Sequence, residues 1–317
     1  MNNLTYKKTL EAQTIEKIKN SKSLNTNRAY RADYNDFVNF CNSNGLEYSK
    51  AEIKTISLYL TDLSNRNFKY STIRRRLVSL SLANRLSGNY IDTKHPLINE
   101  NLKSIKRKIG SYQKGKSPII IEDLHKIINV IDKDKSNLRK IRDKTIILLG
   151  FSGGFRRSEI VSLDIEDIEF VNEGMKILLK KSKTDQFGQG FLKAIPYFND
   201  QSICSVKSII NWVNILNKKN GPLFRKISKS EKILDKRLTD QTVALILKKY
   251  MEIAGLNSSN FSGHSLRAGF ATVTASFGAD ERSIMNMTGH KSASMVRRYI
   301  REANLFKNNA LNKIIKI

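Results

Sequence analysis

From Tyr30 to Cys41 the apolar positions Tyr30, Tyr34, Phe37, Val38 and Cys41 fall at i, i+4, i+7, i+8 and i+11. That spacing draws one stripe down a helix of 3.6 residues per turn. Ile73, Leu77 and Leu80 repeat it in "STIRRRLVSLSLANRLSG", where Gly88 supplies a stop. The first part of the chain therefore predicts helices only. The second part mixes periods. "IEDLHKIINVI" and "LRKIRDKTIILLGFSG" read as helices, but residues 165–198 alternate short apolar runs with turn signals at Asn172–Gly174 and Asp185–Gly190. This pattern predicts a small antiparallel sheet of about three strands. From "SICSVKSIINWVNILNK" onward helix is expected again. Between the two parts, "IGSYQKGKSPI" (109–119) carries Gly, Ser, Lys and Pro with little apolar content, as a linker does. The expected fold class is mainly α with a small antiparallel sheet. The expected organisation is an all-helical domain over 1–110, a linker over 111–118 and an α+β domain over 119–317.

With 317 residues, 40% of them hydrophobic, the chain can build cores for two domains. No apolar run reaches about 18 residues, and the start "MNNLTYKKTLEAQ" lacks a signal-peptide core, so a soluble, unexported, cytoplasmic protein is expected. Cys41 and Cys204 fit no disulfide or zinc framework, in keeping with a reducing compartment. Charge changes the picture most. Against 29 Asp and Glu stand 56 Lys and Arg, a net charge of +27, and such a field attracts polyanions. The surplus is +13 in residues 1–117 and +14 in the rest, so both parts are suited to gripping one. Charge alone does not separate DNA from RNA or an anionic membrane. With no basic amphipathic helix bearing an aromatic face, membrane ranks last. Arg74, Arg75 and Arg76 point away from the Ile73–Leu80 stripe, and two readings stand: a solvated helix face, or a helix lying on DNA phosphates.

The candidate chemistry gathers in the second part. Of the four histidines, His264 and His290 each follow a glycine, in "GHSLRAGFAT" and "GHKSASMVRRYI". His264 and Arg267 stand at i and i+3, one face of a helix. His290 follows a candidate helix C-cap, Gly289, and is placed to begin the next helix, with Tyr299 nine residues on. Upstream, "GGFRRSEIVSL" leads two glycines into a helix start with Arg156, and "KKSKTDQFG" puts Lys183 on a hairpin tip. Each piece alone is common. Together, two arginines, two histidines, a lysine and a tyrosine are what metal-free phosphodiester cleavage requires. Arginines stabilise the charge of the pentavalent state, tyrosine supplies the nucleophile, and lysine or histidine protonates the leaving oxygen. No GxxxxGK[ST] loop supports ATP use, and no acidic metal-binding cluster accompanies the set, so no cofactor is expected.

The order Arg…Lys…His-x-x-Arg…Gly-His…Tyr resembles the tyrosine recombinase, or phage integrase, family over nearly the whole chain. "GGFRRSEIVSLDIEDI" is similar to the box of its first arginine, "HSLRAGFAT" to its His-x-x-Arg box, and "TGHKSASMVRRYI" to the box that ends in its nucleophile. "LNTNRAYRADYNDFVNFC" resembles its core-binding domain. The resemblance implies a site-specific DNA recombinase or integrase of the simple two-domain type, without an extra N-terminal arm-binding domain, closing on duplex DNA as a C-shaped clamp. Tyr299 would be the nucleophile, and Arg156 and Arg267 would hold the non-bridging phosphate oxygens. Lys183 would protonate the 5′ oxygen, with Lys180 and Lys181 nearby as alternatives. His264 would be a base or hydrogen-bond partner, His290 would fill the family's His or Trp position, and Glu159 would be an acidic support. Phe306, Ala310, Leu311, Ile314 and Ile315 draw an apolar face on an expected C-terminal helix, which either folds back on its own domain or, as the resemblance implies, docks on a neighbouring protomer, joining monomers in free solution into a tetramer on paired sites. A type IB topoisomerase-like enzyme and a non-catalytic DNA-binding protein are the alternatives.

Overall fold

The computed structural model describes residues 3–110, 115–180, 190–307 and 309–314. They divide into two compact units, Met1–Lys114 and Gly115–Ile317, and the break lies within the stretch 111–118.

Among its described residues the first unit contains five helices: α1 (Asn3–Asn20), α2 (Leu24–Ser43), α3 (Ile53–Asn65), α4 (Tyr70–Leu86) and α5 (Pro96–Ile109). Their starts follow local chemistry. The Ser23 hydroxyl accepts from the Thr26 N–H at the head of α2, and Pro96 opens α5, where a missing N–H costs nothing. Of the predicted stripes, all but the half-buried Tyr30 and Val38 turn into the core. Phe37, Cys41, Ile73, Leu77 and Leu80 are buried around Tyr59 and Leu60, with Tyr34 packed against them.

The arginines of α4 do not act alike. Arg74 is exposed, and Arg75 pairs with Asp33 while its side chain stays 42% exposed. Arg76 corrects the expectation that all three leave the apolar stripe. Its side chain is 11% exposed, and its guanidinium pairs with Asp33 and Asp36, donates to the Tyr59 hydroxyl at 2.9 Å and lies 4.3 Å from the centre of the Phe68 ring. Three successive helical residues sweep about 200° of arc, so one flank must turn in. Burial acts to raise the Asp36 carboxyl, but hydrogen bonds from Arg66 and Tyr59 and the charges of Arg76 and Arg66 outweigh it. The carboxyl is held below its ordinary value.

The second unit is α+β. Its helices are α6 (Ile121–Asp132), α7 (Asn137–Ser152), α8 (Arg157–Ser162), α9 (Ser205–Leu216), α10 (Asp240–Ile253), α11 (Ser265–Ser276), α12 (Glu281–Thr288) and α13 (Ala293–Ala303). The predicted sheet is present, with β1 (Ile168–Val171), β2 (Gly174–Leu179) and β3 (Phe191–Pro196) antiparallel in that order. Helix α7 is the centre of the unit. Residues Thr145 to Ser152 are all buried, and it packs on α6, α9 and α11. Only its second half, TIILLGFS, is apolar nearly all round, and such a stretch belongs inside a core.

Two expectations need correction. A second hairpin, β4 (Arg225–Ile227) with β5 (Ile233–Arg237), interrupts the region read as helical. Its sequence, "RKISKSEKILDKR", shows no alternation. It is held by Ser228 N–H donating to Lys232 O and by buried Arg225 paired with Asp235. The tail forms no α-helix among the described residues after Ala303. A 3-10 turn, Ala310–Lys313, stands there instead, opened by the Asn309 side chain on Leu311 N–H, while the Asn312 amide donates to the Phe306 and Lys307 carbonyls. Asparagine side chains compete with the helical ladder for backbone groups. Phe306, Leu311 and Ile314 are exposed, and Ile315 lies outside the described residues.

Candidate active site

Helix α7 ends on Gly153 and Gly154. A Cβ on Gly153 would lie 2.0 Å from the Phe155 ring. Gly154 has φ +55°, and a Cβ there would lie 3.0 Å from Phe270 and 3.1 Å from Thr288. Only glycine fits both this left-handed backbone and this space. The bend delivers Arg156 to the N-cap of α8. There its N–H donates to Glu159 at 2.8 Å and its guanidinium pairs with the same carboxylate, itself 3% exposed. Glu159 thus fixes the direction of Arg156, whose Nη2 reaches the Gly289 carbonyl at 3.5 Å.

Helix α11 brings the second arginine. His264 is its exposed N-cap, and Arg267, one turn on, is 3% exposed. Arg267 Nη1 donates to Gly154 O at 2.8 Å. Its Nη2 is buried with no hydrogen-bond partner among the described residues. Burial and then the Arg156 charge bring this guanidinium down to about 10, opposed by Glu159 and Tyr299, so it remains a cation at neutral pH.

Helix α12 ends on Gly289, a left-handed C-cap with φ +62°, as its sequence position predicts. His290 does not begin the next helix. It occupies the connecting loop, because Ser292 is the N-cap and α13 starts at Ala293. His290 Nδ1 lies 2.7 Å from Thr288 Oγ1, and that hydroxyl donates to Ile284 O at 2.6 Å. A hydroxyl has one proton to give. Nδ1 must therefore carry the proton and donate, which leaves the Nε2 lone pair free to accept. Burial first, then Arg267, Arg156, His264 and Lys193, push the imidazole down to about 4, so it is neutral at pH 7. Tyr299, in the second turn of α13, packs half-buried against a cluster of Ala271, Ala275, Ile284 and Val296, and its ring centre is 6.3 Å from that of His290.

The expected residues thus divide. Arg156, Glu159, Arg267, His290 and Tyr299 converge around one point, with exposed His264 at its rim. Lys183 lies outside the described residues, as does Lys181. Lys180 is exposed and paired with Asp167 at 2.6 Å. Arg74, Arg75 and Arg76 belong to the other unit. Two members were missed from the sequence. Thr288 sets the His290 tautomer. Lys193, on β3, is 2% exposed and stands beside both arginines. The signal for Lys193 was present, since it shares a strand face with buried Ile195.

Comparison with known proteins follows the same lines. The phage integrase family model matches residues 120–305. The chain is 39% identical over 308 residues to an integrase/recombinase xerD homolog of Selenomonas ruminantium, covering 96% of this chain and 89% of that protein. It is 29% identical over 293 residues to tyrosine recombinase XerC of Herpetosiphon aurantiacus, covering 88% and 85%. In fold it resembles the XerH site-specific recombinase bound to a palindromic difH substrate, with a TM-score of 0.59 at 22% identity over 83% of this chain and 70% of that one. It also resembles a lambda integrase dimer bound to a COC′ core site, with a TM-score of 0.58 at 18% identity over 91% and 75%.

Proposed function

The chain belongs to the phage integrase family of tyrosine recombinases, and on that footing we propose how its own residues cut and rejoin DNA. It is a site-specific recombinase of double-stranded DNA. In our reading the scissile phosphate sits between Arg156 and Arg267. Tyr299 Oη attacks phosphorus, the P–O5′ bond breaks, and the strand is left as a 3′-phosphotyrosyl ester with a free 5′ hydroxyl. The proton given up by Tyr299 goes to His264 or to water. Lys183 is assigned the proton for the departing 5′ oxygen from its place in the family motif. The 5′ hydroxyl of a partner strand then reverses the step. The phosphotyrosyl ester conserves the energy of the phosphodiester, so the exchange needs no nucleotide and no metal.

The observation that carries this reading is Arg267 Nη2, a buried donor without a partner among the described residues, beside Arg156. Leaving such a donor unpaired costs about 1–3 kcal/mol, a cost that a phosphate oxygen would relieve. Both arginines are held by groups on rigid elements, so their charge is in place before any develops on the phosphate. Once a phosphate oxygen is near, its charge favours protonation of His290 Nε2, which would convert the ring from acceptor to donor at the moment the site fills. Monomers assembling as a tetramer on paired sites complete the proposal, with the exposed tail docking on a neighbour.

The test uses a nicked duplex that traps the covalent adduct. Wild-type protein should form a denaturation-resistant protein–DNA band, and Tyr299→Phe should form none while binding the same duplex within a few-fold. An adduct of wild-type yield from Tyr299→Phe would remove Tyr299 as the nucleophile.

A further inference from the structure

We infer that Lys193 is a positioning residue for strand cleavage, a buried ammonium on β3 that clamps the Gly153–Gly154 bend from which Arg156 and Arg267 are aimed. The inference rests on the reading of those two arginines as the phosphate-holding pair.

The geometry is local and complete. Lys193 Nζ donates to the Gly153 carbonyl at 2.7 Å and lies 3.9 Å from the centre of the Phe155 ring. The next carbonyl, Gly154 O, accepts from Arg267 at 2.8 Å. Two residues further on, Arg156 leaves the same bend toward Glu159. Adjacent carbonyls of one bend are thus fixed by two cations from different elements. Lys193 holds the bend from the sheet side, and Arg267 reads its position from α11. Moving the bend moves Arg156 covalently and Arg267 through its hydrogen bond.

The charge on Lys193 matters as well as its reach. A methionine of similar length would fill the space without the cost of desolvating a cation. The ammonium contributes instead a charge-assisted hydrogen bond and a positive charge behind the phosphate site. The titratable groups facing it are Glu159 on α8, Arg156 at the N-cap of α8, Arg267 on α11, and His290 in the loop before α13. Its cross-strand partner on β2, Ile177, is apolar. Burial, against which Glu159 works, together with Arg267 and Arg156 brings the ammonium down to about 7. A phosphate anion in the site opposes that shift and draws a proton onto Lys193. Filling the site therefore strengthens the clamp. As pH rises through the titration of Lys193 the cation is lost and the clamp weakens.

Single-turnover cleavage of the nicked duplex tests this. Lys193→Met should bind DNA within a few-fold of wild type but cleave roughly 10- to 100-fold more slowly, the scale of a slightly misplaced reacting group. Lys193→Arg keeps a cation and a donor whose charge does not titrate, so it should recover much of the lost rate. The ratio of wild-type to Lys193→Arg rates should fall as pH rises between about 6 and 9, with its inflection at or above neutrality. Wild-type cleavage by Lys193→Met, or a ratio flat across that range, would overturn the clamp. If Lys193→Met does not fold, the ratio decides alone. A second readout needs no cleavage. In the DNA-free wild-type protein, the 13Cε resonance of Lys193 should titrate near 7, and an inflection in the ordinary lysine range, about 10.4, would also overturn it. Failure of the wider reading looks different, since it shows as an adduct that survives Tyr299→Phe, whatever Lys193 does.

Discussion

At the scale of single residues, the site depends on direction more than on charge. Arg267 spends one end of its guanidinium on the Gly154 carbonyl, and in the proposed reaction its other end, buried without a hydrogen-bond partner among the described residues, would take a phosphate oxygen. A lysine carries the same charge but no planar fork, so it cannot do both at once. Arg267→Lys should therefore bind DNA nearly as well as wild type and cleave roughly 10²-fold more slowly, the scale for losing one preorganised donor. Equal single-turnover rates for the two proteins would count against a two-ended role. Much of this residue set was legible beforehand. Arg156, Arg267, His290 and Tyr299 stood out through the order of their short motifs along the chain, each of them common alone, and the fold brings the four together. Lys193 did not, because a lysine in a strand flanked by turns reads as solvated. Only the inward register of β3, where it shares a face with Ile195, shows otherwise. The His290 tautomer could not be read at all, since it depends on where the fold sends the Thr288 proton.

At the scale of elements, periodicity was a good guide where one face is buried and a poor one elsewhere. The sheet and the α2 and α4 stripes follow their patterns, because burying one face fixes the period. Hairpin β4–β5 is mostly polar, and its strands are held by hydrogen bonds and an ion pair, neither of which leaves an apolar period. Helix α4 shows what a stripe alone conceals. Its run of three arginines looks uniform, yet Arg76 is locked against Asp33, Asp36, Tyr59 and Phe68 while Arg74 is exposed. The two kinds should separate in experiment. Arg76→Ala leaves buried Asp33 and half-buried Asp36 short of a partner and should lower stability by about 3 kcal/mol, read by denaturant melts. Replacing exposed Arg74 alone by alanine should leave stability nearly unchanged, whereas replacing Arg74 and Arg75 together also takes from buried Asp33 its Arg75 partner. If this face lies on DNA, the double replacement should reduce the slope of log affinity against log salt by up to about 1.8, because each phosphate left without its cation accounts for about 0.9. An unchanged slope would restore the reading of a solvated face.

At the scale of the whole molecule, composition spoke first and said least. A net charge of +27 calls for a polyanion without choosing one. The choice of DNA came from the cleavage set, and the assembly bears on the tail. Beyond Ala303 the described tail exposes Leu305, Phe306, Leu311 and Ile314, at 59%, 87%, 56% and 66%. Four large apolar side chains on one short segment are costly to leave in water, at about 1.5–3 kcal/mol for each that a partner could bury. The described tail is tied back by Lys307 to the Ser276 carbonyl, a bond that leaves those side chains exposed. In the tetramer proposed above a neighbouring copy would offer the missing cover, and a head-to-tail contact of this kind closes into a ring when the rotation allows. Such docking would connect α13, and with it Tyr299, to the presence of a second protomer. Removing residues 305–317 spares α13 and its packing cluster. The truncated protein should bind a single half-site within a few-fold of wild type, lose cooperativity on a full site, and fail to assemble as a tetramer on paired sites in sedimentation. If it fills full sites with undiminished cooperativity and recombines them, the tail is not the link between protomers, and its apolar side chains are local surface.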